Sequence, residues 1–546
     1  MKHPRATFLV LAFATSGLVA CGTSSNNTAS LGGGLGIDGG TEAGFAGTGP
    51  VNTDSCPVVV SAANCDQSQR PILFVHGTYS SGQDIEHMAA LLGSNGFCQD
   101  RIAAIDYDSV SVTPSLSSGG VDSPGEDCTA PNTPAGCGMI DNAIDALLAR
   151  FPQFTQVDLA GHSQGTFHCG EYLQNHADKV AHYINFSGIP DVGAVQTLSL
   201  SSLRDLDIPG FPPPHHATGN SICAYQETPD GGSEVVVPEG GAPPAGDDGG
   251  ADDAGGDGGS SCNVIQYTLI HQDHFAVAAS RDSFVQVYKY LTGKEPQYTD
   301  IQCGDDPVTV QGIAETFADN TPSMGELEIR EVGSVPQQDD AGPTMTAMSA
   351  TGAFGPLQLK RNVQYVFTGH DPTGKILGWQ YFTPFKRDNY LMRILSPASG
   401  SDGSPVGAIV AAESTSHAVT SPTTTVVVAR WAQGGFRQDL GASLLVNGVQ
   451  ALSSDNSGLN AAMNMNLQGG VAALFLEDAN KNGQTDLGLP YSTTFIAFTD
   501  FFVDATKPAF VDLTFTGGSE DPDVLNVPMV IENFPSSAGF VGATFQ

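Results

Sequence analysis

The chain has 546 residues, which is too long for one compact domain and predicts about three. Hydrophobic residues make up 40% of it, enough to build buried cores. The formal net charge is −37 and no basic face is visible, which argues against nucleic acid as a partner because phosphate binding needs such a face.

The N-terminus has the pattern of an export signal over residues 1–20. Lys2 and Arg5 precede an apolar run, and small residues stand immediately before Cys21, so that the segment resembles a bacterial lipoprotein signal. The resemblance implies that Cys21 carries lipid and anchors the protein to a membrane. An ordinary secretory signal with an incidental cysteine is the alternative. Glycine after Cys21, as in Gram-negative lipoproteins, favours an extracytoplasmic location at the outer membrane or cell surface.

Residues 21–52 are rich in Gly, Ser, Thr and Asn and nearly uncharged, which predicts a flexible linker. Export also predicts disulfides among the ten cysteines. Lipidation of Cys21 leaves an odd number, so at least one cysteine is free or pairs elsewhere. The spacing suggests, without fixing, the pairs Cys56–Cys65, Cys128–Cys137 and Cys223–Cys262.

Between residues 53 and 300, predicted strands alternate with predicted helices. This alternation indicates βαβ units and a mainly parallel sheet, with the active site at the carboxyl ends of the strands. The predicted strands lie at 71–78, 101–106, 157–160, 180–186, 197–201 and 264–270, and the predicted helices near 85–92, 140–148, 164–179 and 284–291.

Gly161-His162-Ser163-Gln164-Gly165 is the most informative motif of the chain. A strand, a GxSxG turn and a helix form a nucleophile elbow, in which two glycines let the backbone turn sharply enough to expose Ser163 Oγ. The following helix points its N-terminal dipole at the serine, and the N–H of Gln164 can face a developing oxyanion. The pattern therefore predicts a nucleophilic serine.

This elbow, together with Phe74-Val75-His76-Gly77-Thr78, resembles the α/β-hydrolase superfamily and within it bacterial and archaeal lipases and esterases. The resemblance covers about residues 56–300 and implies a serine hydrolase. It also implies that the second oxyanion N–H belongs to Thr78.

The same resemblance guides the choice of acid and base. In the chain order Ser, acid, His, the acid follows the second strand beyond the serine, which favours Asp205. Asp191, one strand earlier, is the alternative, and weaker candidates are Asp207, Asp230 and Glu234. A histidine just past the last strand is expected to be the general base, which favours His274 over His271. His162, inside the elbow, is interpreted as structural.

Residues 229–261 form an acidic insertion within this domain. The segment has eight carboxylates and neither Lys nor Arg, with many Gly, Pro and Ala. It cannot bury enough apolar surface to fold and is predicted to be disordered.

The C-terminal part has the alternating β-branched and aromatic residues of all-β structure. Residues 306–397 predict a β-sandwich that resembles transthyretin-like modules, and residues 398–546 a second β domain. Some archaeal lipases are similar in carrying a β domain behind the hydrolase. Four aromatic residues are expected either in the core or on a lipid-facing patch: Trp379, Tyr381, Phe382 and Phe385.

One segment of the second β domain resembles a calcium loop. Oxygen ligands occur at alternate positions with glycine sixth, but position twelve is Leu489 rather than Glu. The candidate ligands are Asp478, Asn480, Asn482 and Asp486. An Asn/Asp/Gly turn is the alternative. No motif for an organic cofactor is visible.

The sequence thus predicts an α/β-hydrolase fold followed by one or two all-β domains. The hypothesis for function is a lipid-anchored lipase or esterase that acts on a neutral ester or lipid through an acyl-enzyme on Ser163. The alternatives are a polyester depolymerase or an acyltransferase with the same triad, and a non-catalytic adhesion or binding lipoprotein.

Overall fold

The computed structural model describes residues 56–78, 80–109, 138–188, 194–203, 222–228, 233–235, 263–316, 320–338, 342–396, 422–436, 441–452, 471–477, 491–493, 496–501, 505–517 and 526–546. All of these lie within one unit, Ala46–Gln546. No helix in these ranges is both long and apolar enough to cross a bilayer.

An eight-stranded sheet forms the first half of the molecule, with the strand order β2-β1-β3-β4-β5-β8-β6-β7. All its pairings are parallel except that of β7 with β6. Its strands are β1 (Ile72–Val75), β2 (Ile102–Ile105), β3 (Val157–His162), β4 (Val180–Phe186), β5 (Gln196–Ser202), β6 (Ile222–Glu227), β7 (Ser233–Val235) and β8 (Val264–Leu269). The helices are α1 (Glu86–Ser94), α2 (Met139–Arg150), α3 (Gln164–His176), α4 (Ala276–Ala279) and α5 (Arg281–Thr292).

The strand order places a crevice between β1 and β3. From β1 the chain moves to β2 on one side, and it then returns to β3 on the other side. The loops that follow β1 and β3 therefore diverge at a topological switch point, where α/β proteins form their sites.

Both faces of this sheet are covered, as the continuous apolar runs of its strands require. Ile72 and Phe74 pack into a core with α1 and α5. Leu73 and Val75 point to the opposite face and pack against α2 and α3. The side chains of β1 thus point alternately into a hydrophobic layer on each face of the sheet, and these two layers hold the strand that borders the crevice.

The C-terminal region contains three further sheets. Their orders are β12-β9-β15, β11-β10-β13-β14-β24-β16-β19-β21-β20 and β18-β17-β22-β23. The strands are β9 (Val308–Thr316), β10 (Gly325–Glu331), β11 (Thr344–Met348), β12 (Ala353–Leu359), β13 (Tyr365–His370), β14 (Ile376–Phe382), β15 (Asn389–Ser396), β16 (Thr424–Trp431), β17 (Ser443–Val446), β18 (Val449–Gln450), β19 (Val471–Glu477), β20 (Tyr491–Thr493), β21 (Ile496–Phe501), β22 (Phe510–Thr516), β23 (Val527–Glu532) and β24 (Phe540–Phe545).

The predicted fold class, α/β followed by β-rich structure, is confirmed. Apolar residues of the three-stranded and nine-stranded sheets share one core, as in a sandwich. However, the nine-stranded sheet takes strands from both predicted β domains, because β14 pairs in parallel with β24 and places Trp379 opposite Val541. The domain boundary predicted between residues 397 and 398 therefore does not separate two sheets, since one sheet contains strands from both sides of it.

The predicted pair Cys56–Cys65 is wrong. Cys56 is bonded to Cys303 and Cys65 to Cys98. Backbone pairing explains both, since Val60 N–H donates to Cys303 O and Asp66 N–H to Gly96 O. Among the described residues, Cys169 is buried and has no disulfide bond assigned to it. Cys223 is disulfide-bonded, whereas its predicted partner Cys262, like Cys128 and Cys137, lies outside the described residues.

Two other expectations can be compared with the structure. Residues 233–235, inside the insertion predicted to be disordered, form β7 on the edge of the sheet, so that prediction is wrong for this segment. Trp379, Tyr381, Phe382 and Phe385 are all at most 4% exposed. They therefore belong to the core rather than to a lipid-facing patch.

His87 in α1 makes the stability of the fold depend on pH. Burial lowers the pKa of His87 to about 4, and its Nδ1 donates to Ala279 O at 2.7 Å. The unfolded chain takes up a proton near pH 6.5 and the folded chain does not, so stability falls as pH falls below 6.5. Between pH 7 and pH 5 this histidine should remove about 2 kcal/mol from the free energy of unfolding. Urea unfolding of His87→Gln at both pH values should show a pH-dependent loss smaller by that amount, and an unchanged loss would contradict this account.

Candidate active site

Ser163 lies in a strained turn between β3 and α3. Its backbone has φ 50° and ψ −118°, a conformation that a non-glycine residue adopts only when its surroundings impose it. A Cβ atom on Gly161 would lie 2.9 Å from Cys169 Sγ, and one on Gly165 would lie 2.2 Å from Val75 O. Neighbouring atoms therefore leave no room for a side chain at either glycine. The turn has the geometry of a nucleophile elbow.

The loop after β1 runs directly beside this serine. A Cβ atom on Gly77 would lie 2.9 Å from Ser163 Cβ. Thr78 Oγ1 donates a hydrogen bond to Gln164 Oε1 at 2.8 Å, so that the two residues predicted to form the oxyanion hole are in contact. Gln164 is the first residue of α3, where backbone N–H groups have no acceptor within the helix. Thr78 is exposed, which leaves this corner open to solvent.

His274 follows β8 and reaches the same corner. Its carbonyl oxygen accepts a hydrogen bond from His162 Nε2 at 2.9 Å, and the two rings have centroids 4.8 Å apart. Because His162 immediately precedes Ser163, these contacts hold the His274 loop against the elbow. The alternative base, His271, is half-buried, and its backbone N–H donates to Gln272 Oε1.

The candidate acids Asp205 and Asp191 lie outside the described residues, as do Asp207 and Asp230. The last described strand before Asp205 in the sequence is β5. β5 ends at Ser202 beside Leu269 of β8, and Leu203 N–H donates to Leu269 O at 2.9 Å. Leu203 thus lies next to the end of β8, from which the His274 loop begins. Glu234 lies in β7, which β6 separates from β8.

Glu227, at the end of β6, is a carboxyl that no motif of the sequence marks as functional. Its Oε2 accepts the N–H of Ile270 at 3.0 Å, close to the His274 loop. Burial, with a contribution from Asp282, raises the pKa of Glu227 to about 7. Glu227 is therefore a further carboxyl near the His274 loop, while Asp205 stays the predicted acid of the triad.

Asp273, immediately before His274, fixes the loop from both sides. It is fully buried, and its Oδ1 accepts the N–H groups of Phe275 and Ala276, each at 2.8 Å. Its Oδ2 accepts the N–H of Gly435, from the C-terminal region, at 2.7 Å. An Asp before a helix is a readable capping signal, whereas the bond to Gly435 is not visible in sequence.

Replacing Asp273 with Asn should destabilise the protein by about 1–3 kcal/mol. The amide can still accept from Phe275 and Ala276, but its NH₂ group then faces the buried N–H of Gly435, which loses its acceptor. Urea unfolding measures the change. Asp145→Asn is the matched control, since Asp145 pairs with Lys179 and its side chain is 58% exposed. Equal stabilities of the two variants would contradict the role given to Asp273.

Arginines from the C-terminal region support the loop that follows β1. Arg393 Nη2 donates to Asp106 Oδ2 at 2.6 Å, and Asp106 Oδ1 accepts the N–H of Gly82 at 2.6 Å. Burial alone would raise the pKa of Asp106, but the Arg393 guanidinium outweighs it and the pKa is lowered. Arg430 Nη2 donates to Asp84 Oδ1 at 3.2 Å. The site is thus braced by residues that lie far from it in the chain.

The strand order, the elbow at Ser163 and the histidine after β8 define an α/β-hydrolase fold. Residues 306–399 match the family of the lipase C-terminal domain. The chain therefore combines an α/β-hydrolase fold with a region similar to the C-terminal domain of lipases.

Similar solved structures include phospholipase PlaB from Legionella pneumophila, with 8% identity, 61% of this chain and 97% of that chain covered, and a TM-score of 0.23. A lipase from Bacillus licheniformis in propeptide form has 12% identity, 86% of this chain and 94% of that chain covered, and a TM-score of 0.23. No curated protein matches the chain significantly in sequence. Since these scores are low, the fold assignment rests on the strand order and the elbow.

No cluster of metal-binding side chains occurs within the ranges that the structure describes. The candidate calcium ligands Asp478, Asn480, Asn482 and Asp486 lie outside those ranges, as does the predicted lipidation site Cys21.

Proposed function

We propose that the protein is an exported, lipid-anchored carboxylester hydrolase of the lipase or esterase type. The observation that carries this proposal is the strained Ser163, held at the switch point of the sheet with Gly77 and Thr78 beside it and the His274 loop bound to the preceding residue.

In the proposed reaction, Ser163 Oγ attacks the ester carbonyl carbon while His274 accepts its proton. Asp205 orients the imidazole and stabilises the imidazolium. The N–H groups of Thr78 and Gln164 receive the charge that develops on the carbonyl oxygen. His274 then protonates the leaving alcohol, and water hydrolyses the acyl-enzyme by the reverse sequence of proton transfers.

The substrate class proposed is a neutral or apolar ester. The net charge of −37 opposes the approach of anions over most of the surface. The exposed Thr78 opens the site to solvent, and a lipid on Cys21 would keep the enzyme at a membrane, the location proposed for it.

The test is ester turnover by the full-length protein with p-nitrophenyl butyrate and p-nitrophenyl palmitate. We expect hydrolysis of at least one ester, and the ratio of the two kcat/KM values separates an esterase from a lipase. Added methanol should leave the free acid as the main product. Predominant methyl ester would instead indicate an acyltransferase, and folded protein that turns over neither ester would leave a binding lipoprotein as the better account.

A further inference from the structure

The imidazole of His76 lies in the loop that follows β1, directly before Gly77 and the proposed oxyanion donor Thr78. The ring is completely buried and stacks on Tyr107 with centroids 4.2 Å apart. Its Nε2 receives the backbone N–H of Tyr107 at 3.2 Å, and a backbone amide can only donate. The ring proton therefore resides on Nδ1, which donates to Gly77 O at 2.8 Å. Burial lowers the pKa of His76, in keeping with this neutral form.

This hydrogen bond fixes one particular peptide plane. Gly77 O belongs to the same planar peptide as Thr78 N–H, and the two groups point in opposite directions in a trans peptide. Holding the carbonyl oxygen therefore holds the N–H that is proposed to face the oxyanion. Gly77 itself lies directly against Ser163, so a small rotation of this peptide would misdirect the donor at the reacting centre.

His76 is in turn held by a residue from the C-terminal region. Asn320 lies between β9 and β10 and is 6% exposed. Its Nδ2 lies 3.2 Å from His76 Nε2, 2.8 Å from Ser80 O and 3.0 Å from Tyr107 O, so that its two N–H bonds are shared among three acceptors. Two carbonyl oxygens fix the orientation of the amide, because only its NH₂ group can donate to them. Asn320 thus links the loop after β1, which contains His76 and Ser80, to the loop after β2, which contains Tyr107.

We propose that Asn320, acting through the His76 imidazole, is a positioning residue for the oxyanion hole. The C-terminal β region would then contribute to the rate of the chemical step and not only to the shape of the molecule. The inference rests on the proposed function and extends it to a residue more than 150 positions from the elbow in sequence.

The test compares the full-length protein with two variants. Asn320→Gly removes the amide without backbone strain, because Asn320 has a φ of 50°, which glycine adopts freely. Asn320→Asp keeps the shape but replaces the NH₂ group by an oxygen that faces carbonyl oxygens. Asn362→Gly is the matched control, since Asn362 is also buried with φ 61° and its Nδ2 contacts Cys56 Sγ instead.

The readouts separate oxyanion positioning from loss of fold. With kcat expressed per Ser163 titrated to completion by a fluorophosphonate, both Asn320 variants should lose about 10- to 100-fold in kcat for p-nitrophenyl butyrate. KM should stay within about twofold, because the lost interaction forms only in the transition state. A trifluoromethyl ketone, whose carbonyl carbon bonds to Ser163 Oγ and leaves an oxyanion, should bind more weakly by the same factor as kcat.

Three results would overturn the inference. The first is a kcat per titrated site that equals that of the wild type in both Asn320 variants. The second is an equal loss in Asn362→Gly, and the third is a loss in kcat with no change in the affinity of the ketone. Absence of turnover in the wild-type chain would overturn the proposed function and this inference with it, which distinguishes the two failures.

Discussion

Replacing Ser163 with alanine should lower kcat for p-nitrophenyl butyrate by about 10⁴- to 10⁶-fold. The variant lacks the oxygen that forms the acyl-enzyme, while the N–H groups of Thr78 and Gln164 still bind the carbonyl oxygen. KM should change little, since Ser163 Oγ contributes mainly to the transition state and little to binding of the substrate. Steady-state kinetics at neutral pH measure both quantities.

The matched control for this variant is Ser68→Ala. Ser68 is exposed in a turn, where its Oγ bonds Asp66, far along the chain from the elbow. We expect full activity in the control. A Ser163→Ala protein that folds and keeps more than about a tenth of the wild-type kcat would refute the role of Ser163 as nucleophile.

Replacing Arg393 with methionine should destabilise the protein by about 3–5 kcal/mol. Arg393 is 3% exposed and pairs with Asp106 through Nη2 and Nε, with Glu315 Oε1 at 3.6 Å from Nε. The variant leaves a buried carboxylate without its partner, and that carboxylate also accepts the N–H of Gly82, in the segment that follows β1.

The pH dependence of this loss has a definite sign. In the wild type the pKa of Asp106 is lowered, so its contribution is present at neutral pH and is lost as the pH falls through the folded value. Without Arg393, burial dominates and the pKa should rise, so Asp106 takes up a proton more readily. The difference in unfolding free energy between wild type and variant should therefore be smaller at pH 5 than at pH 7.

Two further variants sharpen this test. Asp106→Asn combined with Arg393→Met should recover part of the loss, because the unpaired charge is removed. Arg150→Met should cost less than about 1 kcal/mol, since the Arg150–Asp100 pair is exposed. Urea unfolding measures the free energy of unfolding of the wild type and of the three variants. An Arg393→Met variant as stable as the Arg150→Met control would contradict the stabilising role given to Arg393.

The elbow and the parallel sheet could be predicted from sequence because their signals are local. The apolar run of β1, the pattern from Val157 to Gly165 and the strand before His274 each lie within about a dozen residues. Chain order then restricted the catalytic candidates to a few carboxylates and two histidines.

The supports of the site could not be predicted because they depend on contacts between distant parts of the chain. Asn320 reaches His76 across 244 positions, and Asp273 reaches Gly435 across 162. The same reason explains the disulfides, since Cys56 bonds Cys303 rather than its neighbour in sequence. It also explains the parallel pairing of β14 with β24, which no local pattern encodes.

The most direct test of the central claim is to find where a fluorophosphonate reacts in the full-length protein. The serine oxygen displaces fluoride at phosphorus, and the adduct survives digestion and mass spectrometry. We predict a single adduct, on the peptide that contains Ser163, and its loss in Ser163→Ala. Folded protein that forms no adduct, or an adduct on another serine that persists in that variant, would contradict the assignment of a serine hydrolase built on this elbow.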